Sequence, residues 1–395
     1  MPFSFLKRNF ISPFLELLYD SRAIGILILL MTGVSLLLAN TPFAHNYAAI
    51  WHAEIHLSDF LPHTTEHWIN DGLMSIFFLL AGLEIKREML QGELASFKKS
   101  VLPVAGALGG MLFPALIFLL LNRNTNMSAG WGIPMATDIA FSLGVASLCG
   151  SRAPLSLKIF LTALAIIDDL GAIVAIAFFY TGSLNVFYLI SGLVLWLLLL
   201  LLNKLKAPFG IFNYFAGILL WILIFNSGVH ATVAGVLFAF SIPMKHLNRL
   251  EHKLHHPVQF IIIPLFVLAN TAITLPADTL THLGSSLSIG IAAGLLIGKP
   301  LGILLFCRLC VGLKWGALPE GIQWKHMTGL GLLAGIGFTM SIFISLLAYE
   351  DISLQDQSKT AVMAASFLAI LLSIIWFRLM PASTKEKEIS ETINH

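Results

Sequence analysis

Two adjacent carboxylates, Asp168 and Asp169, lie in the middle of an otherwise uncharged apolar segment that extends from Ile159 to Tyr180. As a helix this segment would be about 33 Å long, which is enough to cross a bilayer and to leave the pair near its midplane. Each charge there costs about 2.5 to 3.5 kcal/mol on insertion scales, so buried acids of this kind indicate an ion or proton site. Adjacent helical residues point about 100° apart, so one carboxylate can face partner helices while the other faces an aqueous funnel.

Three more polar residues are expected at the same depth: Thr137 and Asp138 on a fourth apolar segment, and Lys299 on a tenth. Three acids and one base at one level favour a single shared site over scattered structural ion pairs. Lys299 can pair with either Asp168 or Asp169, and the sequence does not choose between them. Asp138 and Lys299 can also offset the partial charges of interrupted helices.

The ligand chemistry at this level is that of a hard cation. Carboxylate, hydroxyl and backbone oxygens suit Na⁺ or Li⁺ rather than a transition metal, and adjacent carboxylates bind protons as a coupled pair. We therefore predict that Asp168, Asp169, Asp138 and Thr137 bind Na⁺ or Li⁺ in competition with H⁺, with Asp168 and Asp169 as the metal ligands. No resident cofactor, enzyme activity or nucleic-acid partner is expected.

The composition is that of an integral membrane protein surrounded by lipid. Of the 395 residues, 57% are hydrophobic and 11% are charged, with a mean hydropathy of +0.87, whereas soluble domains carry about 25% charged residues. The predicted fold is all-α and polytopic, a single membrane domain over residues 1–395. Apolar windows predict twelve transmembrane helices at residues 23–40, 70–85, 101–121, 130–149, 157–180, 184–203, 209–226, 229–243, 257–276, 286–307, 327–348 and 360–378.

The distribution of lysine and arginine supports an even number of spans with both termini in the cytoplasm. In that orientation twenty of the 23 basic residues lie on the cytoplasmic side, as the positive-inside rule requires. The longest outer loop is then the segment 41–69. An amphipathic stretch over 10–19 is expected to lie in the membrane interface.

Two of the predicted spans contain helix-breaking sequence. The fourth carries Gly132 and Pro134 just before Asp138, and the eleventh carries four glycines between Gly329 and Gly337. Such interruptions are tolerated where the exposed backbone faces protein or a water-filled cavity. The fourth span is central to spans 3–5 and the eleventh to spans 10–12, and the two trios begin on opposite sides of the membrane. Matching interruptions in oppositely oriented repeats indicate a transporter.

A second group of titratable residues is expected at the cytoplasmic surface. Histidine titrates near neutrality, so this group is a candidate pH sensor, although the alternative is a solvated loop rich in charge. Its members lie at the end of the second span and in the loop after the eighth, at Glu84, Arg87, Glu88, Arg249, Glu251, His252 and His255.

Five motifs together resemble NhaA-type sodium/proton antiporters. They are ATDIAF at 136–141, AIIDDLG at 165–171, GVHAT at 228–232, GKPLG at 298–302 and GIGFTMS at 335–341. The resemblance covers essentially the whole chain and implies twelve spans, two crossed broken helices and export of Na⁺ or Li⁺ in exchange for two H⁺. It also implies activation at alkaline pH, a homodimer in the bacterial inner membrane, and a β-hairpin in the 41–69 loop at the dimer interface.

Two other functions are compatible with parts of this pattern. A sodium-coupled symporter of an organic anion can use a similar inverted-repeat fold, but no arginine or aromatic-polar cluster at membrane depth suggests its pocket. An intramembrane aspartyl protease also places aspartates in spans, but it needs two that face each other across helices, generally with a Gly-x-Gly-Asp motif. Here the best pair is adjacent on one helix.

Overall fold

The computed structural model describes residues 21–274 and 283–380, and within them the protein is all-helical. In chain order the helices are α1 (Ser21–Ala39), α2 (Ala44–Trp51), α3 (Thr65–Gln91), α4 (Phe97–Leu121), α5 (Ile139–Leu148), α6 (Leu155–Phe179), α7 (Val186–Lys204), α8 (Ile211–Phe225), α9 (Thr232–Ser241), α10 (Met244–Pro257), α11 (Ile263–Asn270), α12 (Ser286–Gly312), α13 (Trp324–Ala334), α14 (Phe338–Ala348) and α15 (Ile352–Leu379). The predicted amphipathic stretch over 10–19 lies outside the described residues.

Several helices contain or adjoin short segments of 3₁₀ or π-helix. A 3₁₀ segment, Asn126–Met135, precedes α5. Short π-helical turns occupy Trp68–Leu73 in α3, Val258–Ile262 before α11, and Gly294–Gly298 in α12. Such turns concentrate at functional positions, and the last of them comes directly before Lys299.

Membrane-spanning character follows from helix length and apolarity. Within the described residues, six helices are long and apolar enough to cross a bilayer alone: α3, α4, α6, α7, α12 and α15. Three bent pairs pass the same test together, and α8 and α9 are shorter apolar helices. The protein is thus a multi-pass membrane protein, while the count of twelve spans stays a prediction.

The two predicted helix breaks are present. The 3₁₀ segment Asn126–Met135 and α5 meet at 47°, and α13 and α14 meet at the same angle. Proline and glycine at these breaks leave backbone groups without hydrogen-bond partners in their own helix. The other broken helix supplies the missing partners. The amide of Asp138 donates to the carbonyl of Ile336 at 2.7 Å, so the two breaks contact each other directly.

Close glycine packing brings α12 beside α4 and thereby positions the site. A Cβ added at Gly302 would lie 2.1 Å from the carbonyl oxygen of Gly109, and one added at Gly109 would lie equally close to that of Gly302. Gly298 meets Pro114 in the same way, at 2.9 Å from its Cα. Lys299 follows directly in the chain, so this contact fixes the depth of its side chain.

The outer loop 41–69 contains a helix that the sequence did not indicate. Helix α2 forms inside it at 119° to α1, and α3 begins at Thr65 rather than at the predicted residue 70. Thr64 caps that helix, since its hydroxyl accepts a hydrogen bond from the amide of His67 at 3.2 Å. Between the two helices the chain pairs through a single antiparallel bridge, Glu54 with Thr64.

A second correction concerns the segment after α9. The sequence predicted a cytoplasmic loop there, but the structure forms helix α10 over Met244–Pro257. Apolar residues such as Leu247, Leu250 and Leu254 recur along one face of a polar helix and pack against the core. The charge density of this segment hid that periodicity.

Candidate cation-binding site

Asp168 and Lys299 form a fully buried ion pair. Both side chains are 0% exposed, and Lys299 Nζ lies 2.7 Å from Asp168 Oδ2. Lys299 also donates to the hydroxyl of Thr137, and this hydroxyl lies 2.7 Å from the same carboxylate oxygen. The structure therefore pairs Lys299 with Asp168, a choice that the sequence left open.

Asp169 has a different environment although it is the next residue. Its side chain lines a cavity of about 510 Å³ that also includes Thr137 and Asp138. In the part of the chain that the structure describes, no donor reaches this carboxylate, and its Oδ1 is buried without a hydrogen bond. Because α6 turns by 100° per residue, it presents one aspartate to Lys299 and the other to the cavity.

Asp138 connects the two broken helices at their amino ends. It is the N-cap of α5, where its Oδ1 accepts from the amide of Phe141 at 3.0 Å. Its Oδ2 accepts from the amide of Thr339 at 3.2 Å, in the first turn of α14, and from the hydroxyl of the same residue. A carboxylate stabilises the positive end of a helix dipole, and this one lies at two such ends.

Hydroxyl groups satisfy the carboxyl ends of the interrupted helices. Ser142 donates to the carbonyl of Leu333 at 2.8 Å, and Ser341 donates to that of Ile133 at 2.7 Å. The hydroxyl of Thr137 lies 3.1 Å from the carbonyl of Ala334, its second acceptor besides Asp168. Each broken helix therefore supplies the hydrogen bonds that the other lacks.

The far side of the cavity is formed by charged residues of α3 and α10. Arg87 Nε lies 3.1 Å from Glu251 Oε2. This part of the lining also includes Glu84, His252, His255 and His256. Burial raises the pKa of Glu251, an effect that the charges of Arg87 and His252 partly offset. Burial lowers the pKa of His255, and the neighbouring histidines lower it further.

Two of the predicted pH-sensing residues lie apart from the others. Arg249 is exposed and is absent from the cavity lining. Glu88 pairs with Arg87 at 3.1 Å and accepts from the amide of Glu93, but it does not reach the cavity either. Five of the seven predicted residues therefore share one cavity with Asp169.

The chain is similar to known proteins over nearly its whole length. The profile of the family described as Na⁺/H⁺ antiporter 1 matches residues 16–377. This protein belongs to that family. The Na(+)/H(+) antiporter NhaA of Cytophaga hutchinsonii is 46% identical over 382 residues, which cover 95% of this chain and 97% of the relative. The NhaA proteins of Flavobacterium psychrophilum and Dechloromonas aromatica are 48% and 47% identical over 90% of this chain and 93% of their own.

Carboxylate and hydroxyl groups of Asp169, Asp138 and Thr137 line the same cavity. Across residues 21–274 and 283–380, no three His, Cys, Asp or Glu side chains are arranged to hold a metal ion.

The sequence reasoning missed several residues that support the site. Two of them are serines in apolar helices, Ser142 and Ser366, and no sequence motif marks either one. The hydroxyl of Ser366 accepts from the amide of Phe338 at 3.2 Å. Lys86 was counted only as a basic residue, yet its Nζ donates to the carbonyl of Phe240 at 2.7 Å and to that of Ile242. It thereby holds the end of α9, where the chain turns into α10.

Proposed function

We propose that this protein is an electrogenic antiporter that exports Na⁺ or Li⁺ in exchange for two H⁺. It is a secondary active transporter of the bacterial inner membrane, with both termini in the cytoplasm and no resident cofactor. The observation that carries the proposal is the unequal state of the two adjacent aspartates: Asp168 is neutralised by Lys299, while Asp169 faces the cavity without a partner.

Exchange follows from competition for these carboxylates. Asp169 can hold either a proton or a cation that arrives through the cavity. A cation that binds between the two carboxylates takes Oδ1 of Asp168, which is buried without a hydrogen bond, and its positive charge displaces the ammonium of Lys299, which releases a proton. When the cation leaves, one proton binds Asp169 and a second restores the ammonium of Lys299, so that its ion pair with Asp168 forms again. The same site is therefore occupied alternately by Na⁺ and by H⁺, which is the requirement for antiport.

The stoichiometry determines how membrane potential drives the cycle. Two protons that enter for each Na⁺ that leaves move one net charge inward, which is worth about 2.3 kcal/mol per 100 mV. A negative interior then drives Na⁺ out. Asp138, which stays bonded to both amino ends, compensates the helix dipoles in this scheme rather than carrying the cation by itself.

Alternating access is proposed to use two inverted repeats, spans 3–5 and 10–12 of twelve. In support, the two broken helices bend by the same angle and exchange hydroxyl-to-carbonyl bonds reciprocally. The central helices of such repeats can rock against each other around a fixed site. Because Thr137 lies at the break itself, its contacts with Lys299 and Asp168 would change with that motion.

Activation at alkaline pH is proposed to originate at the charged residues around Arg87 and Glu251. Their pair closes one side of the cavity that leads to Asp169. The protonation states of Glu251 and His255 set the net charge there, so they control how a cation approaches the site. The outer loop 41–69 is proposed as the interface of a homodimer.

The test uses inside-out membrane vesicles from cells that lack other antiporters, with respiration to acidify them and a fluorescent weak base to report the gradient. We expect Na⁺ and Li⁺, but not K⁺, to collapse the gradient without any organic solute, more strongly at pH 8.5 than at pH 6.5. A symporter of an organic anion would instead require that solute.

Two variants locate the activity. Asp168→Asn and Asp169→Asn should each abolish exchange, because either change removes one of the two carboxylates that alternate between cation and proton. Asp356→Asn is the matched control, since this acid lies at the start of α15 and pairs with Lys359 at 3.5 Å. Full Na⁺-driven exchange in either site variant, with the protein present in the membrane, would refute the proposed site.

A further inference from the structure

A pair of exposed histidines lies on the outer loop 41–69, apart from the cation site. The rings of His56 and His63 stack with their centroids 4.9 Å apart and their planes 25° from parallel. Both side chains are exposed to solvent, and neither lines the cavity that contains Asp169. Imidazole is the side chain that most often binds transition-metal ions. Two of them side by side are therefore a candidate chelate for such an ion.

The backbone of the loop holds this pair in place. The amide of Ile55, the residue before His56, donates to the carbonyl of His63 at 2.7 Å, next to the antiparallel bridge described above. Nearby, the side-chain amide of Asn226, at the end of α8, donates to the carbonyl of Phe60 at 3.1 Å. Ligands that stand on a fixed backbone lose little freedom when a metal binds.

One copy of the pair supplies half of a zinc coordination shell. Zn²⁺ takes four ligands in a tetrahedron at about 2.0 to 2.1 Å, so two nitrogens of one shell lie about 3.4 Å apart. The exposed rings of His56 and His63 reach that spacing by rotation of their own side chains. The carboxylate of Asp59 lies 3.4 Å from Nε2 of His56, but within the described residues no three such side chains form a metal site. Two positions of the shell are therefore left for a ligand group from outside the chain.

Apolar side chains beside the pair indicate that this group is a second copy of the chain. Ile55, Leu57 and Phe60 are large hydrophobic residues of the same loop, and all three are exposed. A cluster of exposed apolar residues marks an interaction surface. A two-fold interface sets the same patch of both copies against each other, so each histidine pair would meet its counterpart.

We propose that His56 and His63 of two copies together bind one Zn²⁺ ion, which bridges the outer loops of a homodimer. The inference rests on the homodimer proposed above and adds a metal site to its interface. Imidazole nitrogens select Zn²⁺ and similar transition metals over Na⁺, Li⁺ or Mg²⁺, which prefer oxygen ligands. The bridging ion is therefore distinct from the exported cation, and it stabilises the dimer.

The experiment titrates Zn²⁺ alone into the full-length protein, purified in detergent without a histidine tag and freed of metal with EDTA. Calorimetry gives the stoichiometry, and light scattering on a dilution series gives the oligomeric state. We expect one Zn²⁺ for two chains. At about 100 times the Kd for zinc, the equilibrium should shift about 100-fold toward the dimer, and Mg²⁺ should have no effect.

Three variants locate the site. His56→Asn and His63→Asn each remove two of the four ligands in the symmetric site, so each should lose zinc binding and the zinc-dependent part of dimerisation. His45→Asn is the matched control, because His45 is another exposed histidine of the outer loop, on α2. It should behave as the wild type. Thermal unfolding without zinc should be the same in all four proteins, because every changed side chain is exposed.

Four results would overturn the proposal. One Zn²⁺ for each chain would mean that a single copy closes the site, and equal zinc binding by His63→Asn and the wild type would exclude the histidine pair. A protein that is dimeric in EDTA and binds no zinc would exclude the metal site but leave the homodimer standing. A monomer both in EDTA and in zinc would refute the homodimer itself. Na⁺/H⁺ exchange is measured separately in vesicles, so none of these results bears on the antiport.

Discussion

Removal of the buried lysine at the site should destabilise the protein strongly. In Lys299→Met, the apolar side chain leaves the carboxylate of Asp168 at 0% exposure, and among the described residues only the hydroxyl of Thr137 still donates to it. Loss of one partner from a buried ion pair costs about 3 to 5 kcal/mol, because the other charge stays buried without compensation. We expect a loss of that size in the free energy of unfolding at neutral pH.

A second mutation should reverse most of this loss. In the double variant Lys299→Met with Asp168→Asn, no uncompensated charge remains, and replacement of a buried pair by neutral groups is often close to neutral for stability. The two changes should therefore be strongly non-additive, with a coupling of at least about 2 kcal/mol. The double variant should still fail to exchange Na⁺ for H⁺, because Asp168 is absent.

The measurement is the thermal or denaturant unfolding of purified protein in one detergent at pH 7.5. Lys359→Met is the matched control: this lysine is also buried, but its partner Asp356 is 37% exposed at 3.5 Å, so its loss should cost less than about 1 kcal/mol. If Lys299→Met were as stable as the control, or if the double variant lost the sum of the two single changes, the ion pair would not determine the stability of the site.

Two further predictions concern the cavity lining and the helix packing. Because burial raises the pKa of Glu251, ionisation in the folded protein lowers stability as pH rises above about 4.3, the ordinary glutamate value. In thermal melts, the stability of Glu251→Gln relative to the wild type should therefore be greater at pH 8 than at pH 5. The same difference between the two proteins at both pH values would contradict this. Gly302→Ala should lower the free energy of unfolding by about 1 to 3 kcal/mol, because its Cβ would lie 2.1 Å from the carbonyl oxygen of Gly109. Gly312→Ala has nothing within 4 Å and should be neutral in the same unfolding measurement.

The broken helices show how far local sequence reaches. Pro134 and the cluster of glycines that ends at Gly337 disfavour a continuous helix, so the positions of the two breaks were predictable within a few residues. The partners of the freed backbone groups were not. Ser142 and Ser341 bond across to the other broken helix, and no spacing along the chain indicates which carbonyl a single hydroxyl will reach.

The charged residues at the cavity show a similar division. The sequence predicted seven pH-sensing residues from their charge and from the histidines among them, and five of the seven line one cavity. Arg249 and Glu251 are two residues apart on α10 and therefore lie on different faces of that helix. Arg249 is exposed to solvent. The helical form of that segment was missed because its apolar residues are few among many charges, and so the direction of each side chain could not be derived.

The sequence by itself determined that charged groups lie within the membrane, because the apolar segments that carry Asp138, Asp168 and Lys299 are too long to place them elsewhere. Tertiary structure alone decided which of them meet. Lys299 could have paired with Asp168 or with Asp169, which are one residue apart, and the choice depends on the rotation of α6 and on the glycine contact that positions α12 against α4. Those are packing distances between segments far apart in sequence, and local residue preferences do not specify them.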